Sequence, residues 1–155
     1  MGGEMGSSNT LGGDSEGGGD SDGGGDMGRG MSIALSVGYN ELRFDMKYKG
    51  KDYYAVYRGF KVENEAAKYK MSITSFGGGN AGDWFRRHNG LKFTTIDSDN
   101  DRSHGNCAEM CEGGWWYERC QWVNVNGKFK TGMQWHNVAS YKNSLSSVEM
   151  KLRRT

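Results

Sequence analysis

From Glu41 onward the chain alternates: Leu42, Phe44, Met46 and Tyr48 are separated by Arg43, Asp45 and Lys47. Alternation sends every second side chain to the same face, so this segment predicts a strand with one buried face. The polar run KGKD (49–52) predicts a tight turn, and YYAVYRGF (53–60), dense in aromatic residues, predicts its hairpin partner. VENEAAKYK (62–70) predicts a short helical turn before a third strand, YKMSITSF (69–76), which the cluster GGGNAGD (77–83) ends. HNG (88–90) predicts a turn leading into LKFTTI (91–96), and NVNGKFK (124–130) an Asn-Gly turn. The last alternation is SSVEMKLR (146–153), with Val148, Met150 and Leu152 on one side. The expected class is α+β but mostly β: antiparallel strands with long, glycine-rich connections and no internal repeat.

Composition changes where the domain begins. The chain has 155 residues, a length suited to one domain, yet residues 1–30 hold 13 of its 26 glycines. That segment carries Glu4, Asp14, Glu16, Asp20, Asp22 and Asp26 against Arg29 alone, a charge of −5 within a chain of net charge +1. A Gly/Ser/Asp tract without aromatics buries too little apolar surface to offset its ordering entropy, so residues 1–38 are expected to be disordered. The domain is expected at 39–155, which holds all five Trp, eight Tyr and six Phe of the chain. Its core is small enough for a covalent staple to help.

The +6 charge of residues 31–155 is scattered, and Lys151, Arg153 and Arg154 read as a solvated strand end, so nucleic acid is not an expected partner. No run approaches the roughly 20 apolar residues of a membrane span. MSIALSV (31–37) is short and internal for a signal-peptide core, and no Asn-x-Ser/Thr acceptor occurs.

Candidate chemistry concentrates in IDSDNDRSHGNCAEMCEGGWWYERC (96–120), with three spaced aspartates, one histidine and all three cysteines. Asp97, Asp99 and Asp101 at i, i+2 and i+4 can turn toward one hard cation. The EF-hand template is excluded, because its glycine and glutamate positions fall on Arg102 and Ala108. Solvated turn aspartates explain the run equally well. His104, Cys107, Cys111 and Cys120 offer zinc-type ligands at spacings that match no paired knuckle. Three cysteines allow one disulfide with one left over, and the sequence does not choose the pair. Nothing ranks His88, His104 or His136 as a base for a cysteine nucleophile, so the cysteines read as structural. No nucleophile–base–orienter set is visible, and an enzyme is not expected.

Read in order, HNGLKFTTIDSDND, GNCAEMCEGGWWYERCQWVNVNGKF, GMQW and SLSSVEMKLR closely resemble the C-terminal half of the fibrinogen C-terminal (fibrinogen-related) domain. Ficolins, tachylectins, tenascins and angiopoietins carry that domain. The upstream segments from LRFDMKY to GDWFRRHNG resemble its preceding strands, so the likeness covers about residues 39–154. It implies part of a fibrinogen-like fold: an antiparallel sheet followed by a loop-rich calcium and disulfide subdomain, with sheet edges left uncovered.

The resemblance also implies site residues. One structural Ca²⁺ would be held by Asp99 and Asp101 with the carbonyls of Ser103 and Gly105, with Asp97 in support. The family disulfide falls on Cys107 and Cys120, and the family's cis peptide on Arg119–Cys120. The ligand pocket falls on Arg119, Cys120 and Gln121, with Tyr141 as its remaining aromatic wall. Trp115, Trp116 and Tyr117 read as core and pocket wall.

Several positions depart from the pattern: Gln121 replaces a histidine, Cys111 an aromatic, Val138 a tryptophan, and KFKT (128–131) a longer loop. The departures bear on the acetyl pocket of lectin-type members. The expected function is a calcium-stabilised, secreted recognition module of lectin-like innate immunity, binding acetylated glycan or an extracellular protein. A cell-adhesion or matrix-interaction module and a truncated, non-functional fragment are the alternatives. Homo-oligomerisation is a further expectation, since an uncovered sheet edge invites pairing.

Overall fold

The computed structural model describes residues 38–128, 132–140 and 142–155. The expectation of disorder for 1–38 and the pocket residue Tyr141 lie outside them, Gly38 excepted.

The predicted alternation forms the main sheet. β1 (Glu41–Tyr48) pairs antiparallel with β2 (Lys51–Arg58) on one side and with β8 (Ser147–Arg153) on the other. β5 (Ser75–Gly78) adds to β2, giving the order β5-β2-β1-β8. The β1–β2 turn is Lys49-Gly50, with φ of 48° and 76°. Two consecutive left-handed residues make the turn that matches strand twist, and glycine takes the second at no steric cost.

The inner face of this sheet carries Leu42, Phe44, Ala55, Tyr57, Met150 and Leu152, all buried. Its outer face carries an ion-pair ladder in which Asp45 Oδ2 accepts from Lys151 Nζ at 2.8 Å and Arg43 Nη2 meets Asp45 Oδ1 at 2.8 Å. Glu41 is buried and reaches Arg153 Nε at 2.6 Å from the opposing strand.

Beyond the main sheet the elements are short. β3 (Lys61–Val62) pairs with β4 (Met71–Ser72), and β6 (Val123–Asn124) with β7 (Gln134–Trp135). Glu65–Ala67 and Phe85–His88 are 3₁₀ turns, and α1 (Cys107–Cys111) is a single helical turn. The predicted third strand, 69–76, divides: Met71–Ser72 faces β3, while Ser75 onward joins β2. The break falls at Ile73, whose N–H donates to the Asn89 side chain (2.9 Å); Thr74 N–H already donates to Arg58 O at the end of β2 (2.9 Å). The segment 91–96 makes only isolated bridges, Thr94 to Trp115 and Thr95 to Ser98.

Between the sheet and the loop-rich half lies an aromatic core. Phe44 meets Phe85 and Trp135 edge-on, each with centroids 5.0 Å apart, and Trp116 stands against Phe93 at 5.1 Å. Edge-to-face pairs gain from ring quadrupoles beyond their area burial. Trp115, Trp116 and Tyr117 are fully buried, so the WWY run is core.

Candidate functional site

The acidic loop is folded by its own polar side chains. Asp99 Oδ1 accepts from Asp101 N–H (3.2 Å), and Asp101 Oδ1 from Ser103 N–H (2.8 Å). The second Asp101 oxygen accepts from Cys107 N–H at 2.9 Å, which ties the loop to the start of α1. The Thr95 hydroxyl donates to Asp97 at 2.6 Å and holds that carboxyl below its usual range. Asn100 donates to Phe93 O (2.9 Å), and Asn106 donates to Ile96 O (3.0 Å) while its Oδ1 caps α1 at Ala108 N–H (2.9 Å). Asn106 is thus both N-cap and loop clasp.

The predicted metal residues therefore share one loop. Among the described residues no cluster of three or more His, Cys, Asp or Glu side chains could hold a metal, so a cation here would lean on backbone oxygen. The donors suit that: the Ser103 and Gly105 carbonyls accept no hydrogen bond among the described residues, and each carboxylate oxygen keeps a second acceptor site. An all-oxygen set of this kind fits a hard cation such as calcium. It does not fit zinc, because Cys107 and Cys120 are joined as a disulfide with Cα atoms 5.4 Å apart.

The third cysteine, Cys111, is half-buried. Its thiol donates to Gln121 Oε1 at 3.2 Å, and burial pushes its pKa up, which keeps it protonated and unreactive at neutral pH.

His88 organises the segment that carries the pocket residues. It is fully buried. Its Nε2 accepts from the backbone N–H groups of Val123 (3.0 Å) and Trp122 (3.3 Å), so the ring proton sits on Nδ1 and is donated to Trp116 O at 2.7 Å. One neutral imidazole thus clamps both ends of the 116–123 segment, and burial lowers its pKa to about 4. Within that segment the Arg119–Cys120 peptide is cis. Gly113 lets the neighbouring chain approach, since a Cβ there would collide with the carbonyl of Asn126. Tyr117 hydroxyl donates to Gly113 O at 2.6 Å and accepts from Asn124 Nδ2 at 3.2 Å.

A cleft of about 480 Å³ opens at this segment, lined by Arg102, Glu118, Arg119, Gln121, Trp122 and His136. Arg119 and Gln121 are the predicted pocket residues; Cys120 is half-buried in the disulfide beside them. Arg102 belongs to the acidic loop, and its backbone N–H donates to Glu118 O at 3.0 Å, so loop and cleft rim are directly bonded. Sequence reasoning missed Trp122, His136 and Trp84. Trp122 stacks on Trp84 (6.0 Å between centroids) and lies 4.9 Å from His136, with the Arg87 guanidinium 4.5 Å over its ring. The available signal was the tryptophan directly following Gln121; His136 and Trp84 reach it only through the fold.

An antiparallel sheet packed against a disulfide-closed, loop-built cleft is the frame to be placed among known domains. The chain matches the family described as fibrinogen beta and gamma chains, C-terminal globular domain, over residues 30–155, and it belongs to that family. Fibrinogen-like domains of this kind are non-enzymatic recognition modules. Techylectin-5A of Tachypleus tridentatus is 42% identical over 121 residues, which is 72% of this chain and 41% of that protein. The chain therefore spans about two-fifths of the length of that relative.

Among solved structures, the fibrinogen-like globe domain of human ANGPTL2 matches with a TM-score of 0.77 and 33% identity, covering 82% of this chain and 63% of that one. The corresponding domain of human ANGPTL6 matches at 0.73 and 29%, covering 81% and 61%. Lamprey fibrin D-dimer, complexed with the peptide Gly-His-Arg-Pro-amide, matches at 0.74 and 26%, covering 81% and 48%. Among the described residues no helix is long and apolar enough to cross a membrane.

Proposed function

We propose that the chain is an extracellular, calcium-stabilised recognition module that binds an acetylated glycan in the cleft between Arg102, Arg119 and Trp122. The observation that carries this reading is the mechanical continuity of loop, staple and cleft. Asp101 bonds Cys107 N–H, Cys107 is joined to Cys120, and Arg102 N–H bonds Glu118 O on the cleft rim. A cation held by Asp99, Asp101 and the Ser103 and Gly105 carbonyls would neutralise the paired carboxylates and stiffen that chain of contacts. The metal's role is structural. Arg119 and Gln121 supply polar contacts, and Trp122 an aromatic wall for a sugar ring or acetyl methyl. The likeness to a techylectin supports a glycan ligand and an extracellular setting.

A protein ligand is the second reading, favoured by the charged lining Arg102, Glu118 and Arg119 and by the peptide complex of the lamprey relative. Calorimetric titration with calcium tests the metal claim. The wild type is expected to give a saturable isotherm that Asp99→Ala/Asp101→Ala abolishes; equal heats from both proteins would remove calcium from the account.

A further inference from the structure

We infer that the glycan cleft continues past Trp122 and His136 into a second subsite that takes a neutral sugar ring, so that the ligand is an oligosaccharide chain. The inference rests on the glycan reading above and extends it. A second cleft, of about 370 Å³, is lined by Tyr48, Gln134, Asn137 and Ser140 and shares Trp122 and His136 with the first. The shared pair forms a ridge between the two, held where β6 meets β7 by the bond from His136 N–H to Trp122 O at 3.0 Å.

The chemistry of this second cleft differs from that of the first. It contains no Asp, Glu, Lys or Arg among its described lining residues, whereas the first carries two arginines and a glutamate. The side chains of Gln134, Asn137 and Ser140 make no hydrogen bond among the described residues. Two amides and a hydroxyl are thus left to donate and accept beside the Tyr48 and Trp122 rings. Amides and hydroxyls pair with sugar hydroxyls, and aromatic faces accept the C–H face of a pyranose.

A peptide strand is a poorer fit, because the backbone groups of Trp135 and Ala139 are already paired with each other. Trp135 and Ala139 exchange backbone bonds (3.1 and 2.9 Å), and Val138 N–H also donates to Trp135 O (2.9 Å). Among the described residues these bonds occupy the Trp135 and Ala139 groups that strand addition would need.

Preorganisation completes the argument. Trp122 is only half-buried, yet Trp84, His136 and Arg87 fix its ring. Asn137 sits at φ 66°, a conformation asparagine tolerates, and is thereby presented at the tip of the 135–139 turn. A wall fixed before the ligand arrives loses little entropy on binding.

The test uses the full chain, N-acetylglucosamine and its β1,4-linked trimer, read by NMR shift mapping and by Kd. With the trimer, side-chain amide signals of Gln134 and Asn137 are expected to shift together with the Arg119 Nε–H and Gln121 side-chain amide signals. The monosaccharide is expected to move only the latter pair. The trimer should bind about ten-fold tighter than the monosaccharide, and Asn137→Gly/Ser140→Ala should erase that gain. Asn137→Gly keeps the left-handed backbone, so a folding defect would not imitate the result. Shifts confined to Arg119 and Gln121 at either length, with equal affinities, would overturn the second subsite and leave the first cleft standing. No shift with either sugar would overturn both.

Discussion

In the main sheet β1 exchanges backbone bonds with β2 and β8 along its length, whereas between Thr94 and Trp122 the backbone is held mostly by side chains. Asn100, Asn106 and Asp101 bond neighbouring peptide groups in the acidic loop, and His88 bonds three from a distance in sequence. A ladder repeats the same interaction and tolerates local change. A loop built from single side chains depends on each of them, and can be shaped as a site for the same reason. The sheet supplies stability, while the loop half supplies shape held by one disulfide, one imidazole and a few asparagines.

The two halves should break differently. Phe44→Ala removes the ring that joins Tyr57, Phe85 and Trp135, and is expected to cost about 4 kcal/mol. Because the core is shared, denaturant unfolding should shift for every probe together. Removal of the disulfide by Cys107→Ser/Cys120→Ser is expected to cost about 3 kcal/mol by the chain-entropy argument. Hydrogen exchange should then quicken first over 100–123 while β1 and β2 stay protected. Uniform loss of protection would mean that the sheet needs the staple as much as the loops do.

Acid attacks the loop half through His88. The folded imidazole, with its pKa lowered to about 4, stays neutral, while in the unfolded chain it takes a proton below about 6.5. The unfolded state binds more protons between these values, so stability from this group is fully present above pH 6.5. It is lost as pH falls toward 4, by roughly 3 kcal/mol in all. Thermal melts of the wild type and His88→Gln from pH 7 to 4 check this: the wild-type slope should flatten in the variant. A smaller effect is expected at the loop clasp. Asn106→Ala should cost about 1 kcal/mol, since it removes the cap of α1. It should also weaken calcium binding, because Ile96 O and Thr95 O lose their shared donor.

What the sequence made legible follows the same division. The period-two runs at 41–48 and 146–153 were readable, because a ladder writes its periodicity into the chain; the turn expected over 49–52 narrows to Lys49-Gly50, with Lys51 and Asp52 in β2. That Asp99 and Asp101 share one loop and that Arg119 and Gln121 line one cleft was within reach of the resemblance, because these residues lie close together in sequence. The third strand was misread as continuous, since its break depends on Asn89, a residue outside the segment. His88 carried no local mark of its role: its three partners lie 28 to 35 residues away. Trp122 and His136, which line the cleft, and Trp84, which packs behind them, come from three separate segments and carried no joint mark in the sequence.

The central claim is that the acidic loop sets the shape of the cleft. Retention of the purified protein on N-acetylated resin, measured in calcium and then in EDTA, tests it most directly. The account predicts retention in calcium, release by EDTA, and no retention of an Asp101→Ala variant. Retention by the wild type that persists unchanged in EDTA would contradict it.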